Sequence, residues 1–110
     1  MSTSKDYLNY LSEVLGNSED IAFKPMMGEY LVYYRGKLVG DICDNRLLVK
    51  AVEAAARLLP DAERQLPYEG AKTPMILIEN VDDGEFLKTL FEAMYIELPE
   101  PKIKKRGKKQ

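Results

Sequence analysis

The chain has 110 residues, 45% hydrophobic and 31% charged, with no histidine and a single cysteine. That length suits one domain with a self-sufficient core. The missing histidines exclude His-based acid–base catalysis, Ser-His-Asp or Cys-His nucleophiles and a Cys/His zinc site, and a lone cysteine excludes an internal disulfide.

Net charge is −2, but it is unevenly spread. Lys102, Lys104, Lys105, Arg106, Lys108 and Lys109 are six of the 16 basic residues, so residues 1–101 hold ten basic groups against 18 acidic ones, a net of −8. An acidic body with a basic end is expected, with residues 1–100 as the domain and 101–110 as a disordered tail. "MSTSKDYLNYL" holds no apolar leader core. No run approaches the ~20 apolar residues of a membrane span. With unpaired Cys43, this points to a cytoplasmic, reducing location and no membrane contact.

In chain order, Ser2, Thr3 and Ser4 offer cap hydroxyls, and Tyr7, Leu8, Leu11, Val14 and Leu15 recur at helical spacing before Gly16. A helix is predicted over residues 4–15. "IAFKPMM" reads as a short strand that either lies at a sheet edge or is broken at Pro25, which lacks an N–H. Gly28 marks a turn or bulge. Residues 29–34, 37–43 and 46–50 then form three strands joined by two-residue turns at Arg35-Gly36 and Asp44-Asn45. "AVEAAARLL" favours helix and Pro60 ends it. Residues 61–74 form a long loop with room for a short strand. "MILIEN" is a buried strand. Asp82 or Asp83 caps a last helix with an apolar stripe of Phe86, Leu87, Leu90, Phe91, Met94 and Leu98. The predicted class is α+β: a two-layer sandwich with an antiparallel sheet of 4–6 strands and helices on one face.

Two-residue turns set a register. Tyr34 would oppose Lys37, Val32 oppose Val39 and Tyr30 oppose Asp41, while Cys43, Ile42 and Asp41 would oppose Arg46, Leu47 and Leu48. Opposed residues share a face. Leu31, Tyr33, Leu38, Gly40, Ile42, Leu47 and Val49 then form the core face, where Gly40 would admit a helix or side chain. Tyr30, Val32, Tyr34, Val39 and Leu48 fall on the other face, with Cys43, Lys37, Asp41, Arg46 and Lys50. These aromatics framed by charges form either a protein-binding or self-association surface, or a half-exposed sheet shielded by lysine and arginine stems.

The run "KPMMGEYLVYYRGKLVGDICDNRLLVK" resembles the N-terminal domain of the TfoX/Sxy family of bacterial competence regulators. Lys24, Met26, Met27, Gly28, Tyr33, Gly36, Asp44, Leu47, Val49 and Lys50 occupy the positions of that family's pattern. Leu66-Pro67-Tyr68, "MILIENVDD" and "FLKTLFEAM" look like its later strand and final helix, extending the resemblance over about residues 4–98. Met27 and Glu29 stand where an aromatic and a second glycine are more usual, and a lysine-rich end follows where longer members carry a second domain. The resemblance implies this fold and a regulatory role, in the family exercised with the catabolite activator protein on competence promoters.

Candidate chemistry is sparse. Glu29 lacks a partner base. Arg46 would lower the pKa of Cys43, against the reading of Cys43 as a small sheet residue. Asp82, Asp83 and Glu85 read as helix capping rather than a cation loop. No enzyme, cofactor or metal is therefore expected. Two functions stand: a regulatory or adaptor domain working through protein contacts, and a nucleic-acid-associated protein whose lysine-rich end grips phosphates without sequence preference or serves only solubility.

Overall fold

A computed structural model describes residues 3–16 and 18–99. Helix α1 (Lys5–Val14) leads into strands β1 (Ile21–Met26), β2 (Glu29–Tyr34), β3 (Lys37–Cys43) and β4 (Arg46–Val49). Helix α2 (Glu53–Leu58), strands β5 (Arg64–Gln65) and β6 (Met75–Ile78) and helix α3 (Gly84–Tyr95) follow. The strands form one antiparallel sheet in the order β1-β2-β3-β4-β6-β5. All three described helices contribute to one apolar cluster on one side of it, through Leu11 and Leu15, Ala54 and Ala55, and Leu87, Leu90, Phe91 and Met94. The α+β two-layer class is as expected.

Local chemistry explains the boundaries. Ser4 caps α1, its hydroxyl accepting from Tyr7 N–H at 3.1 Å. Asp83 does the same for α3, accepting from Phe86 N–H at 3.1 Å. Val52 offers α2 no side-chain acceptor, and Glu97, beyond α3, accepts from Ala54 N–H at 2.8 Å instead. Pro25 lies in β1 at the sheet edge, where no ladder partner needs its missing N–H. Three hairpins turn through residue pairs with positive φ: Met27-Gly28, Arg35-Gly36 and Asp44-Asn45. Such pairs match the twist of the flanking strands.

The predicted β3–β4 register holds from Asp41↔Leu48 to Cys43↔Arg46. The β2–β3 register does not. It begins at Tyr34↔Lys37 and Tyr33↔Leu38, then shifts, so that Gly40 rather than Val39 faces Val32 and Ile42 rather than Asp41 faces Tyr30. Val39 is the extra residue of a β-bulge. Its cause is Gly40. A Cβ there would lie 2.2 Å from the carbonyl oxygen of Leu48 and 3.0 Å from Cα of Val49. The backbone of β4, not a helix or side chain, makes the close approach.

This bulge inverts the expected faces of β2. Val32, Tyr34 and Val39 are buried in the helix-covered core, and half-buried Tyr30 packs against it. Leu31, Tyr33 and Leu38 point the other way. Only beyond the bulge do the expected faces hold, with Ile42, Leu47 and Val49 inside and Asp41, Cys43 and Leu48 outside.

Candidate interaction face

The helix-free face follows from the pairing. One row crosses five strands as Lys24, Leu31, Asp41, Leu48 and Leu77, and a second joins Ala22, Tyr33 and Leu38. Leu31, Tyr33 and Leu38 are half-buried. Towards β6 this face gains a small apolar cluster of Cys43, Leu48 and Met75, with Leu77 packed against it.

The segment between β5 and β6 folds over that cluster, and Arg46 pins it there. Its guanidinium donates to Cys43 O at 3.2 Å, Gln65 Oε1 at 2.6 Å and Pro67 O at 3.0 Å. A planar fork of donors suits this three-way bridge better than an ammonium would. Pro67 is buried beneath the loop, while Leu66 and Tyr68 stay exposed. Between loop and sheet lies a cleft of about 490 Å³. Leu38, Met75 and Pro67 give it apolar walls, and Asp41, Lys50 and Lys72 give it charge. Asp41 sits among leucines, and burial raises its carboxyl above the usual range, with Lys50 partly offsetting this.

The residues singled out in the sequence are thus dispersed. Tyr30, Val32, Tyr34 and Val39 face the helices, and Leu48 lies on the open face but beneath the loop cluster, 0% exposed. Tyr34 donates to Glu92 Oε1 at 2.6 Å and packs against Phe91 in a tilted arrangement and Tyr95 edge-on, each with ring centroids 5.9 Å away. Burial first, then that hydrogen bond, pushes its hydroxyl up to about 12. Arg35 covers the Tyr34 ring at 5.1 Å and bridges Asp20 and Glu92 at 3.6 and 3.4 Å. Lys37 is buried on the core face. Its Nζ donates to the Tyr95 carbonyl at the end of α3 at 3.1 Å, where the helix dipole favours a cation. These residues tie β2 and β3 to α3.

Glu29 is structural. Its Oε1 accepts from the Thr3 hydroxyl at 2.8 Å and from Asp44 N–H at 3.0 Å, stitching the N-terminal segment to the tip of the β3–β4 hairpin. Ser4 N–H adds a bond to Asn45 Oδ1 at 2.9 Å. Cys43 is 3% exposed, and burial pushes its thiol up to about 11, with Asp41 and Glu29 adding repulsion that outweighs Arg46. Arg46 acts in the activating direction but is outweighed, so Cys43 fits the reading of a small sheet residue. Among the described residues no group of three or more Cys, Asp or Glu side chains is arranged to hold a metal ion. No described helix is long and apolar enough to cross a membrane. Lys102, Lys104, Lys105, Arg106, Lys108 and Lys109 lie outside the described residues.

Sequence reasoning missed Leu31, Tyr33 and Leu38 as outward-facing, and missed the Arg46 pin. Gly40 inside a strand was the available signal for a bulge.

No family model matches the chain, and no solved structure matches it significantly. Over 105 residues, 96% of this chain and 91% of the other, it is 30% identical to a Spirochaeta aurantia protein described as an uncharacterized 12.7 kDa protein in the trpE 5′ region. The two therefore share their fold region almost end to end, and the chain belongs to the family of that spirochaete protein.

Proposed function

We propose that the protein is a non-enzymatic regulatory or adaptor domain, similar to the TfoX N-terminal domain, that acts in the cytoplasm through protein contacts on the helix-free face of its sheet. The observation carrying this reading is the half-buried trio Leu31, Tyr33 and Leu38, which no described helix covers. Exposed Leu66 and Tyr68 on the overlying loop extend the same apolar, aromatic character. Aromatic and aliphatic side chains within a polar rim suit protein recognition. A buried thiol and a glutamate committed to backbone and hydroxyl donors support a non-enzymatic role. A part in transcription or competence regulation rests on the resemblance of residues 24–50 to the TfoX/Sxy pattern.

The test is light-scattering mass and capture from cell extract, at two salt concentrations, for wild type, Leu31→Glu and Tyr33→Glu. Both substitutions should abolish self-association or partner capture while leaving the fold intact. If both variants are folded and neither changes mass or captured proteins, the reading fails.

A second reading rests on the six basic residues between Lys102 and Lys109. If they supply nucleic-acid affinity, deleting residues 102–110 removes DNA or RNA retention, and retention by the full chain falls steeply with salt.

A further inference from the structure

The cleft between the helix-free face and the β5–β6 loop is more than a packing fault. Its volume, about 490 Å³, lies within the range of small-molecule sites, which pair apolar walls with a few placed polar groups. The polar group at its base is Asp41. In its row Asp41 has Leu31 on one side and Leu48 on the other, with Leu77 beyond. Among the described residues its carboxylate accepts no hydrogen bond and forms no ion pair, and Lys50 acts on it only at Coulombic range. A half-buried carboxylate without a donor opposes folding, so its presence calls for a reason beyond the fold.

The backbone supplies a second, independent observation. Lys37 and Val39 lie on the core face, and uninterrupted alternation would send Asp41 there too. The extra residue at Val39 turns it into the cleft instead. Bulges commonly re-aim a side chain beside a site in this way. Lys50 shares the cleft from the end of β4, and Lys72 and Tyr68 line it from the loop. One wall therefore offers an acceptor for an ammonium group, and the others offer donors for a carboxylate. Leu38 and Met75 form the apolar surface between, and the unbranched thioether of Met75 adapts to differing shapes.

We propose that this cleft binds a free α-amino acid with an apolar side chain, its ammonium on Asp41, its carboxylate on Lys50 and Lys72, and its side chain against Leu38 and Met75. Such a ligand supplies the donor that Asp41 lacks, matches the sign of charge at both ends and fits the available volume. Bound between loop and sheet, it would join the two walls of the face proposed for protein contacts and so couple a metabolite to that face.

The test is calorimetric titration of the full chain with L-leucine, L-methionine and L-phenylalanine, alongside N-acetyl-L-leucine and L-leucinamide. At least one free amino acid should bind saturably. Acetylating the amine, or Asp41→Asn, should each weaken that binding on the order of tenfold or more, the effect of losing a charge-assisted hydrogen bond. Lys50→Gln should weaken leucine more than leucinamide. Amide spectra of each variant establish that it is folded. No saturable binding across the panel overturns the proposal. So does equal binding of leucine and N-acetyl-leucine, or binding indifferent to Asp41→Asn. Binding seen only with peptides of several residues overturns it in favour of a peptide-docking groove. None of these results depends on partner capture by Tyr33.

Discussion

Burial shifts Asp41, Cys43 and Tyr34 in the direction that favours the neutral form. For Cys43 the raised folded pKa contributes stability that is fully present below about pH 9 and is lost as pH climbs through about 11. For Tyr34 the corresponding window runs from about 10 to about 12. The melting temperature should therefore hold steady to about pH 9 and fall above it. Cys43→Ala should flatten the lower part of that fall and Tyr34→Phe the upper part, in thermal melts taken at intervals of pH. For Cys43 the loss amounts to roughly 2–3 kcal/mol, at 1.36 kcal/mol per pH unit. Asp41 has the same sign at the acid end. Its raised pKa makes the folded state favour the protonated carboxyl, so stability is full below the unfolded value and is lost as the group ionises. Asp41→Asn keeps the shape and removes the charge. It should melt higher than wild type at neutral pH, with the difference closing as pH falls through the carboxylate range. A variant that gains stability where a ligand is held is the usual sign of a site under functional demand.

At the scale of elements, Arg46 ties the β5–β6 connection to the sheet. Two of the three bonds from that guanidinium, to Gln65 and Pro67, hold the loop, and the third, to Cys43 O, fixes the guanidinium to the sheet. Arg46→Met keeps the apolar stem and removes all three. The expected result is faster proteolysis and amide exchange confined to residues 65–74, with exchange in β2, β3 and α3 unchanged, because local opening need not involve the core. The opposite end of the sheet is held differently. Arg35, Tyr34 and Lys37 fasten β2 and β3 to α3 by the edge-on Tyr34–Tyr95 contact, the Arg35 guanidinium over the Tyr34 ring, the Tyr34–Glu92 bond and the Lys37–Tyr95 carbonyl bond. The aromatic run that looked like a surface is a helix–sheet joint.

Across the whole molecule, much of the fold was legible in the sequence. Gly28, Gly36 and the Asp44-Asn45 pair mark hairpins because few other residues tolerate positive φ, and the structure turns at each of them. Pro25 marked an edge or a break, and the structure shows the edge; the Ser2-Thr3-Ser4 and Asp82-Asp83 groups marked helix starts, where Ser4 and Asp83 are the caps. The face of β2 was not legible, for two physical reasons. "EYLVYY" is apolar at every position after Glu29, so alternation carries no information within it. Its facing was then borrowed from β3 through the hairpin, and β3 carries a bulge whose one local sign is Gly40 within the strand. Gly40 itself answers to a tertiary constraint, the close approach of the β4 backbone, which leaves no room for a side chain there. The candidate site shared this fate. Its acidic member, Asp41, was assigned to the correct face, yet its apolar neighbours Leu31, Tyr33 and Leu38 were assigned to the core. The loop that closes the cleft carried no readable signal beyond its polar, Gly/Pro-broken composition.

The central claim is that β2 shows Leu31 and Tyr33, not Val32 and Tyr34, to whatever the protein binds. Urea denaturation of four single variants tests it directly. Leu31→Glu and Tyr33→Glu should unfold within about 1 kcal/mol of wild type, as substitutions outside the core do. Val32→Glu and Tyr34→Glu should lose at least about 3 kcal/mol, or fail to fold, because each buries an unpaired charge beneath the helices. Severe loss at Leu31 and Tyr33 with tolerance at Val32 and Tyr34 would contradict the bulged register and, with it, the face on which the proposed function rests.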